Sequence, residues 1–440
     1  MIVMKFGGSS VGDPERIKTV ANIIKDRLDK KPVVVVSAVK GITDKLIETA
    51  NAAVEGKNVP GLLKQIVDKH DKIIADLKLD KYLVKKNLNE FKQVIEDIEE
   101  SSEASNEVMD LVQSFGERMS SKLVAAHLNK IGVKAQAFDA WDIGMITNGE
   151  FGKAEPLSDS PKKIAEAIKK LDLVPIITGF IGKTMEGTVT TLGRGGSDYT
   201  AAIIGAAINS EEIQIWTDVN GVMTSDPKVV KEAKTIPKIS FAEASELAYF
   251  GAKVLHPKTI IPAMKKDIPV KVLNTYEPEH PGTTIVNKAG KSKEIIKAIA
   301  CKKNILLVSI VSTRMIGAHG FLARVFDIFE DYAKSIDMIA TSEASISLTV
   351  DKEDHMDLIV EQLKEIADVK VEKGKAIICV VGDGMYHIPG IAGKIFTTLG
   401  NAKVNVEMIS QGASEINVSF IVNDDQADKA VQALHSEYFA

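Results

Sequence analysis

Residues 2–20 read IVMKFGGSSVGDPERIKTV, and the fold follows from this stretch. Ile2–Phe6 is a short, nearly apolar run of the kind that forms a buried strand. Gly7, Gly8, Ser9 and Ser10 come next, and a helix then starts with Asp13 as N-cap and Pro14 at its first position. Ile17, Val20, Ile24 and Leu28 fall on one face of that helix. PVVVVSAV at 32–39 is a second β-branched run, the pattern of a strand covered on both faces of a parallel sheet. A doubly wound, mostly parallel α/β core is predicted.

Farther along, the character of the chain changes. From about 58 to 130, Leu62, Leu63, Ile66, Ile73, Ile74 and Leu77 recur at helical spacing among lysines and glutamates, followed by Leu88, Phe91, Val94, Ile95 and Ile98. This reads as a helical insert over one edge of the sheet. Strand-like runs resume at 133–138, 173–180, 212–218 and 268–274, and the first module ends near 285 in NTYEPEHPGTTI, which reads as loop. Residues 306–351 and 377–424 then repeat one pattern of strand, glycine-containing loop, amphipathic helix, strand, turn and strand, each followed by a helix. The second copy lacks a last strand. IIKAIACK at 295–302 is expected to supply it, which nests the first copy (303–375) inside the second (295–302 plus 376–440).

The 440 residues suit two or three domains, and a net charge of −5 argues against a general nucleic-acid or membrane-surface binder. The two cysteines, Cys301 and Cys379, lack metal spacing and fit a reducing cytoplasm. The N-terminus lacks signal-peptide character, and the longest nearly apolar run, AAIIGAAI at 201–208, is too short for a bilayer span. A soluble cytoplasmic protein is the expectation.

Three clusters carry chemistry. In VMKFGGSSV the lysine precedes the glycines, whereas a Walker A loop has it after them. The glycines would let backbone N–H groups approach a phosphate, with Ser9 and Ser10 as donors and Lys5 as a point charge, although a tight turn beside an edge lysine reads equally well. TTLGRGGSDYTA at 190–201 places three glycines and Arg194 ahead of a helix whose first turn holds Ser197 and Asp198; Arg194 suits a carboxylate, while Asp198 alone reads as a cap. WTDVNGVMTSDPK at 216–228 ends a strand in Thr217 and Asp218, where α/β sheets meet ligands, though it also reads as an ordinary loop. His256, in FGAKVLHPK, has no neighbouring histidine or cysteine and reads as packing or capping.

Together KFGGSSV, VVSAVKGITDKL, SFGERMSSKL, ITGFIG, TLGRGGSDYTA, WTDVNGV, SDPK and GAKVLHP resemble, in their order, the aspartokinases of the amino acid kinase family. The repeat resembles that family's paired ACT domains, and the likeness covers essentially the whole chain. It implies an amino acid kinase fold over 1–285 and two ferredoxin-like ACT units. Implied too is transfer of the γ-phosphoryl of ATP, with Mg2+, to the side-chain carboxylate of L-aspartate, the first step toward lysine, threonine and methionine.

By the same resemblance, Lys5, Gly7, Gly8 and Ser9 grip the transferring phosphoryl group and Asp198 orients Lys5 or organises the site. Ser37, Thr43, Glu117, Phe180, Arg194 and Ser197 form the aspartate pocket, with Arg194 on a carboxylate and Glu117 on the ammonium. Thr217, Asp218, Met223, Asp226, Lys228 and Lys253 occupy nucleotide positions, where the family commonly has Tyr for Met223 and Arg for Lys228. Met315, Gly320, Phe321, Leu322, Asp337, Thr341, Ser342 and Glu343 line an effector site for L-lysine, or secondarily L-threonine, between ACT units of a homodimer or tetramer. No protein-held metal site is implied. Glutamate 5-kinase, acetylglutamate kinase, uridylate kinase and a catalytically silent amino-acid sensor are the alternatives. The GERMSSK segment and the doubled ACT pattern stand against the kinases, and the presence of Lys5, Glu117, Arg194 and Asp198 stands against the sensor.

Overall fold

The computed structural model describes residues 1–439 except 252–254, 256, 290–294, 317–318, 352, 386–387 and 413–415. Lys253 and His256 therefore lie outside the described residues. The chain forms two compact units, one of Met1–Val222, Pro237–Phe241 and Val254–Ala289, the other of Met223–Ile236, Ala242–Lys253 and Gly290–Ala440.

In the first unit the strands are β1 (Ile2–Phe6), β2 (Pro32–Val36), β3 (Ala135–Phe138), β4 (Val174–Thr178), the hairpin β5 (Ile181–Lys183) and β6 (Val189–Thr191), β7 (Ile213–Thr217), β8 (Lys238–Ser240), β9 (Val270–Asn274) and β10 (Thr283–Val286). Eight of them make one sheet in the order β3–β4–β2–β1–β7–β9–β10–β8. Every pair is parallel except β9 with β10. Val33–Val36 are fully buried, as the β-branched run requires of a central strand. The strand expected over 32–39 stops at Val36, and the Ser37 N–H turns to donate to the Phe6 carbonyl. That early stop frees Ser37–Val39 to face the cleft described below.

Helices α1 (Pro14–Lys25), α2 (Ile42–Val54), α3 (Val59–Asp76), α4 (Lys85–Ser101), α5 (Asn106–Lys130), α6 (Ser160–Lys169) and α7 (Gly196–Ala207) precede α8 (Phe241–Tyr249) and α9 (Ile261–Lys265). Asp13 caps α1 by accepting the Arg16 N–H at 3.0 Å, and Ile17, Val20 and Ile24 are buried. Leu28 is not on that face. Helix α1 ends at Lys25, Leu28 falls in a following 3-10 turn, and it is 39% exposed. The 58–130 segment folds as α3, α4 and α5, burying Ile66, Ile73, Phe91, Ile95 and Ile98 in one core with β1, β2 and Trp216.

The second unit is one antiparallel sheet of β11 (Ala298–Val311), β12 (Ile339–Thr341), β13 (Ser345–Val350), β14 (Asp368–Val381), β15 (Met408–Ser410) and β16 (Asn417–Asn423), with α10 (Phe321–Asp331), α11 (Met356–Lys364), α12 (Ile391–Asn401) and α13 (Asp424–Phe439). The long strands β11 and β14 run side by side, with register shifts between Lys302 and Leu307. One end of that pair continues through β13 to β12 and the other through β16 to β15. Residues 298–302 hence pair with the 377–381 end of β14, beside β16, while 306–311 pair with β13. A separate core lies under each half, one centred on Phe321, Val325 and Phe329, the other on Ile395, Phe420 and Leu434.

Two stretches read from sequence as part of the first module, Met223–Ile236 and Ala242–Lys253, belong to the second unit. The physical reason is in their partners. The Thr224 hydroxyl meets His435 Nε2 at 2.9 Å, its carbonyl accepts the Ile299 N–H, and Val230 joins the second core. Glu243 is fully buried, accepting from Lys297 Nζ at 2.9 Å and from the Asp383 N–H at 2.8 Å. Among the described residues no helix is long and apolar enough to cross a membrane.

Candidate active site

Parallel strands end together, and their ends build the site. Phe6 pairs with Val36 and Trp216, and Val36 with Thr178, so β1, β2, β4 and β7 finish at one edge. A cleft of about 850 Å3 opens there, lined by Lys5, Gly8, Ser9, Ser37, Thr43, Glu117, Phe180, Arg194, Ser197 and Asp198. These residues are scattered over nearly 200 positions of sequence, and the sheet brings them together. Helices α2 and α7 begin at this cleft, each behind a glycine N-cap, and their N-terminal dipoles favour negative charge.

Lys5, the outward residue near the end of β1, meets Asp198 Oδ1 at 2.6 Å, with both side chains largely shielded. Gly8 sits where a Cβ would lie 2.8 Å from the Ala38 carbonyl, so only glycine lets this loop pass so near the Ser37–Lys40 segment. The Gly7 N–H does not face an anion: it donates to the Trp216 carbonyl at 3.1 Å, continuing the β1–β7 ladder. Among the described residues the Gly8 and Ser9 N–H groups take no protein acceptor. The Ser9 carbonyl is held by Arg16 Nη1 at 2.9 Å and the Tyr276 hydroxyl at 3.2 Å. Ser10 turns away from the cleft to bond Thr275 at 2.7 Å.

Glu117 projects from α5 and is 3% exposed. Its Oε1 accepts the Ala38 N–H at 3.0 Å, whereas its Oε2 is buried without a hydrogen-bond partner. Burial pushes its carboxyl up to about 8, against the lowering effect of the Ala38 N–H and the Lys5 charge. An orphaned carboxylate oxygen facing a cleft is a place for a cationic ligand group. Phe180 has φ 69°, a left-handed conformation unusual for a bulky residue, held by the Leu192 N–H on its carbonyl and by Thr200 Oγ1 accepting its own N–H. Arg194 is exposed, and no described side chain pairs with its guanidinium.

Several lining residues escaped the sequence reading, among them Lys40, Gln113, Gly152 and Thr191. Gln113 lies one helical turn before Glu117, a spacing that could have flagged it. Gly152 carries no motif and reaches the cleft only through loop packing, while Thr191, at the edge of the 190–201 cluster, reaches it as the last residue of β6.

The expected nucleotide residues are distributed over both units. Thr217 and Asp218 close β7 in the first, where the Thr217 hydroxyl donates to Asp218 Oδ1 at 3.2 Å. Met223, Asp226 and Lys228 lie in the second, where the Lys228 N–H donates to Asp226 Oδ1 at 2.8 Å and Met223 Sδ accepts from Thr235 at 3.5 Å.

Of the expected effector residues, Met315 precedes α10, Gly320 caps it with φ 78°, Phe321 is buried and Leu322 is 40% exposed. Thr341 ends β12, and Ser342 bonds Ser345 across the exposed turn that carries Glu343. Asp337 accepts from Lys302 Nζ at 2.9 Å, and its carboxyl is pushed up, to about 6, by burial and by the neighbouring Asp351.

The amino acid kinase family profile matches residues 1–274, and an ACT domain profile matches 308–363 and 378–438. The chain is 42% identical to Aspartokinase 2, chloroplastic, of Arabidopsis thaliana, over 99% of this chain and 84% of that protein. Crystal structures of E. coli aspartokinase III superpose along the full length of both chains at 36% identity. The TM-score is 0.84 for the complex with aspartate and ADP (R-state) and 0.82 for the complex with lysine and aspartate (T-state). By profile, identity over its whole length and superposition, the chain belongs to the aspartokinases, the aspartate kinases of the amino acid kinase family.

Proposed function

We propose that the chain transfers the γ-phosphoryl group of MgATP to the side-chain carboxylate of L-aspartate, giving ADP and 4-phospho-L-aspartate. The observation that carries this is the pairing, in one cleft, of the orphaned Glu117 Oε2 with the free Arg194 guanidinium: a cation acceptor and a carboxylate clamp, the complement of an amino acid.

The nucleophile is already an anion, so alignment and charge neutralisation do the catalytic work and no strong base is required. A carboxylate oxygen of the substrate attacks the γ-phosphorus as the bridging oxygen leaves with ADP. Lys5 neutralises charge on the transferring group, and Asp198, 2.6 Å away, holds the ammonium in place. The Gly8 and Ser9 N–H groups are the backbone donors of the loop, while Gly7 fixes it to β7. Ser37, Thr43, Phe180 and Ser197 complete the aspartate pocket. Thr217, Asp218, Met223, Asp226, Lys228 and Lys253 are assigned to the nucleotide. Magnesium enters with ATP as part of that substrate.

Catalysis is assigned to residues 1–285, of which 223–236 and 242–253 pack within the second unit, with an ACT unit of 303–375 inserted in a second one made of 295–302 and 376–440, a nesting the β11–β14 pairing supports. We further infer feedback inhibition by L-lysine at Met315, Gly320, Phe321, Leu322, Asp337, Thr341, Ser342 and Glu343, in a homodimer or larger assembly of a cytoplasmic enzyme feeding lysine, threonine and methionine synthesis. Lysine bound to the E. coli neighbour supports this choice over threonine. The effector must bind the inhibited arrangement more tightly than the active one. ADP release from MgATP tests the reading: it should require L-aspartate and fall with added lysine. ADP release indifferent to aspartate would refute the assignment.

A further inference from the structure

We propose that Asp110 is a positioning residue for aspartate binding: it clamps the end of β6 that leads to Arg194, and the Gly152 loop packed against it, to the same helix that presents Glu117. The inference rests on the pocket proposed above.

Asp110 is on α5 and is 1% exposed. Its Oδ2 accepts two backbone N–H groups, from Gly152 at 2.9 Å and Thr191 at 2.7 Å, and its Oδ1 accepts the Thr191 hydroxyl at 2.8 Å. Three donors on one buried carboxylate, all from residues that line the cleft, form a built anchor. Thr191 ends β6, two residues before Gly193, and the Ala154 N–H donates to the Thr191 carbonyl at 2.9 Å, tying the Gly152 loop to the strand. Gly193 has φ 76°, and a Cβ on it would lie 2.9 Å from the Gly152 carbonyl, so the two loops are in direct backbone contact just before Arg194. A shift of Gly152 or Thr191 is therefore passed to Arg194.

Glu117 is seven residues beyond Asp110, two helical turns along one face and about 10 Å of helix rise. One rigid helix thus fixes the separation between the group assigned to the substrate ammonium and the loop assigned to its carboxylate. A misplacement of about 1 Å at such a clamp is costly to binding and alignment.

The test is calorimetric binding of L-aspartate and of ADP, with KM values for both substrates, on Asp110→Ala and Asp110→Asn. The alanine variant leaves the buried Thr191 N–H and the Gly152 N–H without this acceptor. Its Kd and KM for aspartate should rise about tenfold or more, while those for the nucleotide stay within about twofold. In the asparagine variant the amide oxygen still accepts both N–H groups and the amide NH2 can donate to a rotated Thr191 hydroxyl. It should stay within about threefold of the native protein for both ligands. If the alanine variant fails to fold, Thr191→Val, which removes one of the three bonds, should shift aspartate alone by a smaller factor. Unchanged aspartate affinity in the alanine variant, equal losses for both ligands, an asparagine variant as impaired as the alanine one, or an unshifted valine variant would each overturn the proposal. Native protein that does not bind aspartate would instead refute the pocket itself.

Discussion

If Glu117 takes the substrate ammonium as proposed, aspartate binding is a proton-linked event. Its carboxyl is pushed from 4.5 to about 8, first by burial, against the Ala38 hydrogen bond and the Lys5 charge. At pH 7 such a group is protonated about ten times in eleven. An ammonium arriving at Oε2 favours the carboxylate, so binding at pH 7 should release close to one proton. Apparent aspartate affinity should then improve about fivefold between pH 7 and pH 8 and level off above that, since the fraction already ionised rises from about one in eleven to one half. Calorimetry in two buffers of different ionisation enthalpy counts the proton directly. Glu117→Gln keeps an acceptor for Ala38 but aims an amide NH2 at the ligand, so it should bind aspartate weakly and without pH dependence. The same shift has a stability sign. The folded state retains a proton that the unfolded chain loses at about 4.5, so this contribution is full below that pH and is lost as pH rises to about 8, at about 1.4 kcal/mol per unit. Native affinity that is flat from pH 6.5 to 8.5 with no proton released would refute the reasoning.

Other outcomes follow from single contacts. Lys5→Ala should lower kcat by about 100- to 1000-fold while calorimetric binding of lysine to the ACT region persists; full turnover would remove Lys5 from the reaction. Lys297→Met breaks an ion pair buried at both ends and should destabilise the second unit by about 3–5 kcal/mol, seen in its thermal unfolding, with an unchanged midpoint counting against that role. Asp337→Ala should raise the lysine concentration for half inhibition about tenfold or more without altering uninhibited kcat, because it removes a hydrogen-bonded charge partner; equal inhibition would place the effector elsewhere.

The α/β core was legible because its signals are local. Four consecutive valines at 33–36 have few uses other than a central parallel strand, and the Asp13-Pro14 pair marks a helix start whatever surrounds it. The place of residues 298–302 beside the 377–381 end of β14 was legible for a different reason: pattern similarity exposed a missing strand. Leu28 falls outside the helix its spacing suggests, since periodicity carries no information about where a helix is capped. Four short strands, β5, β6, β8 and β10, give no such local signal, because residues so few and so mixed in polarity become strands only through their neighbours; β10 falls in a stretch that reads as loop. At the site, Lys5, Glu117, Arg194, Asp198 and Thr191 stood in motifs, whereas Gly152 did not. Its place depends on its loop meeting Gly193 across more than 35 positions of chain, a tertiary fact with no local trace. The Gly7 N–H shows the same limit: glycine suits a phosphate loop, yet the ladder to β7 takes its donor.

The central claim is that the acceptor is the side-chain carboxylate of aspartate, and trapping the product tests it most directly. Turnover of MgATP and L-aspartate in the presence of hydroxylamine should yield the hydroxamate of the side-chain carboxyl, in step with the ADP formed and suppressed by lysine. ADP formed without hydroxamate, or a hydroxamate on the α-carboxyl, would contradict the account.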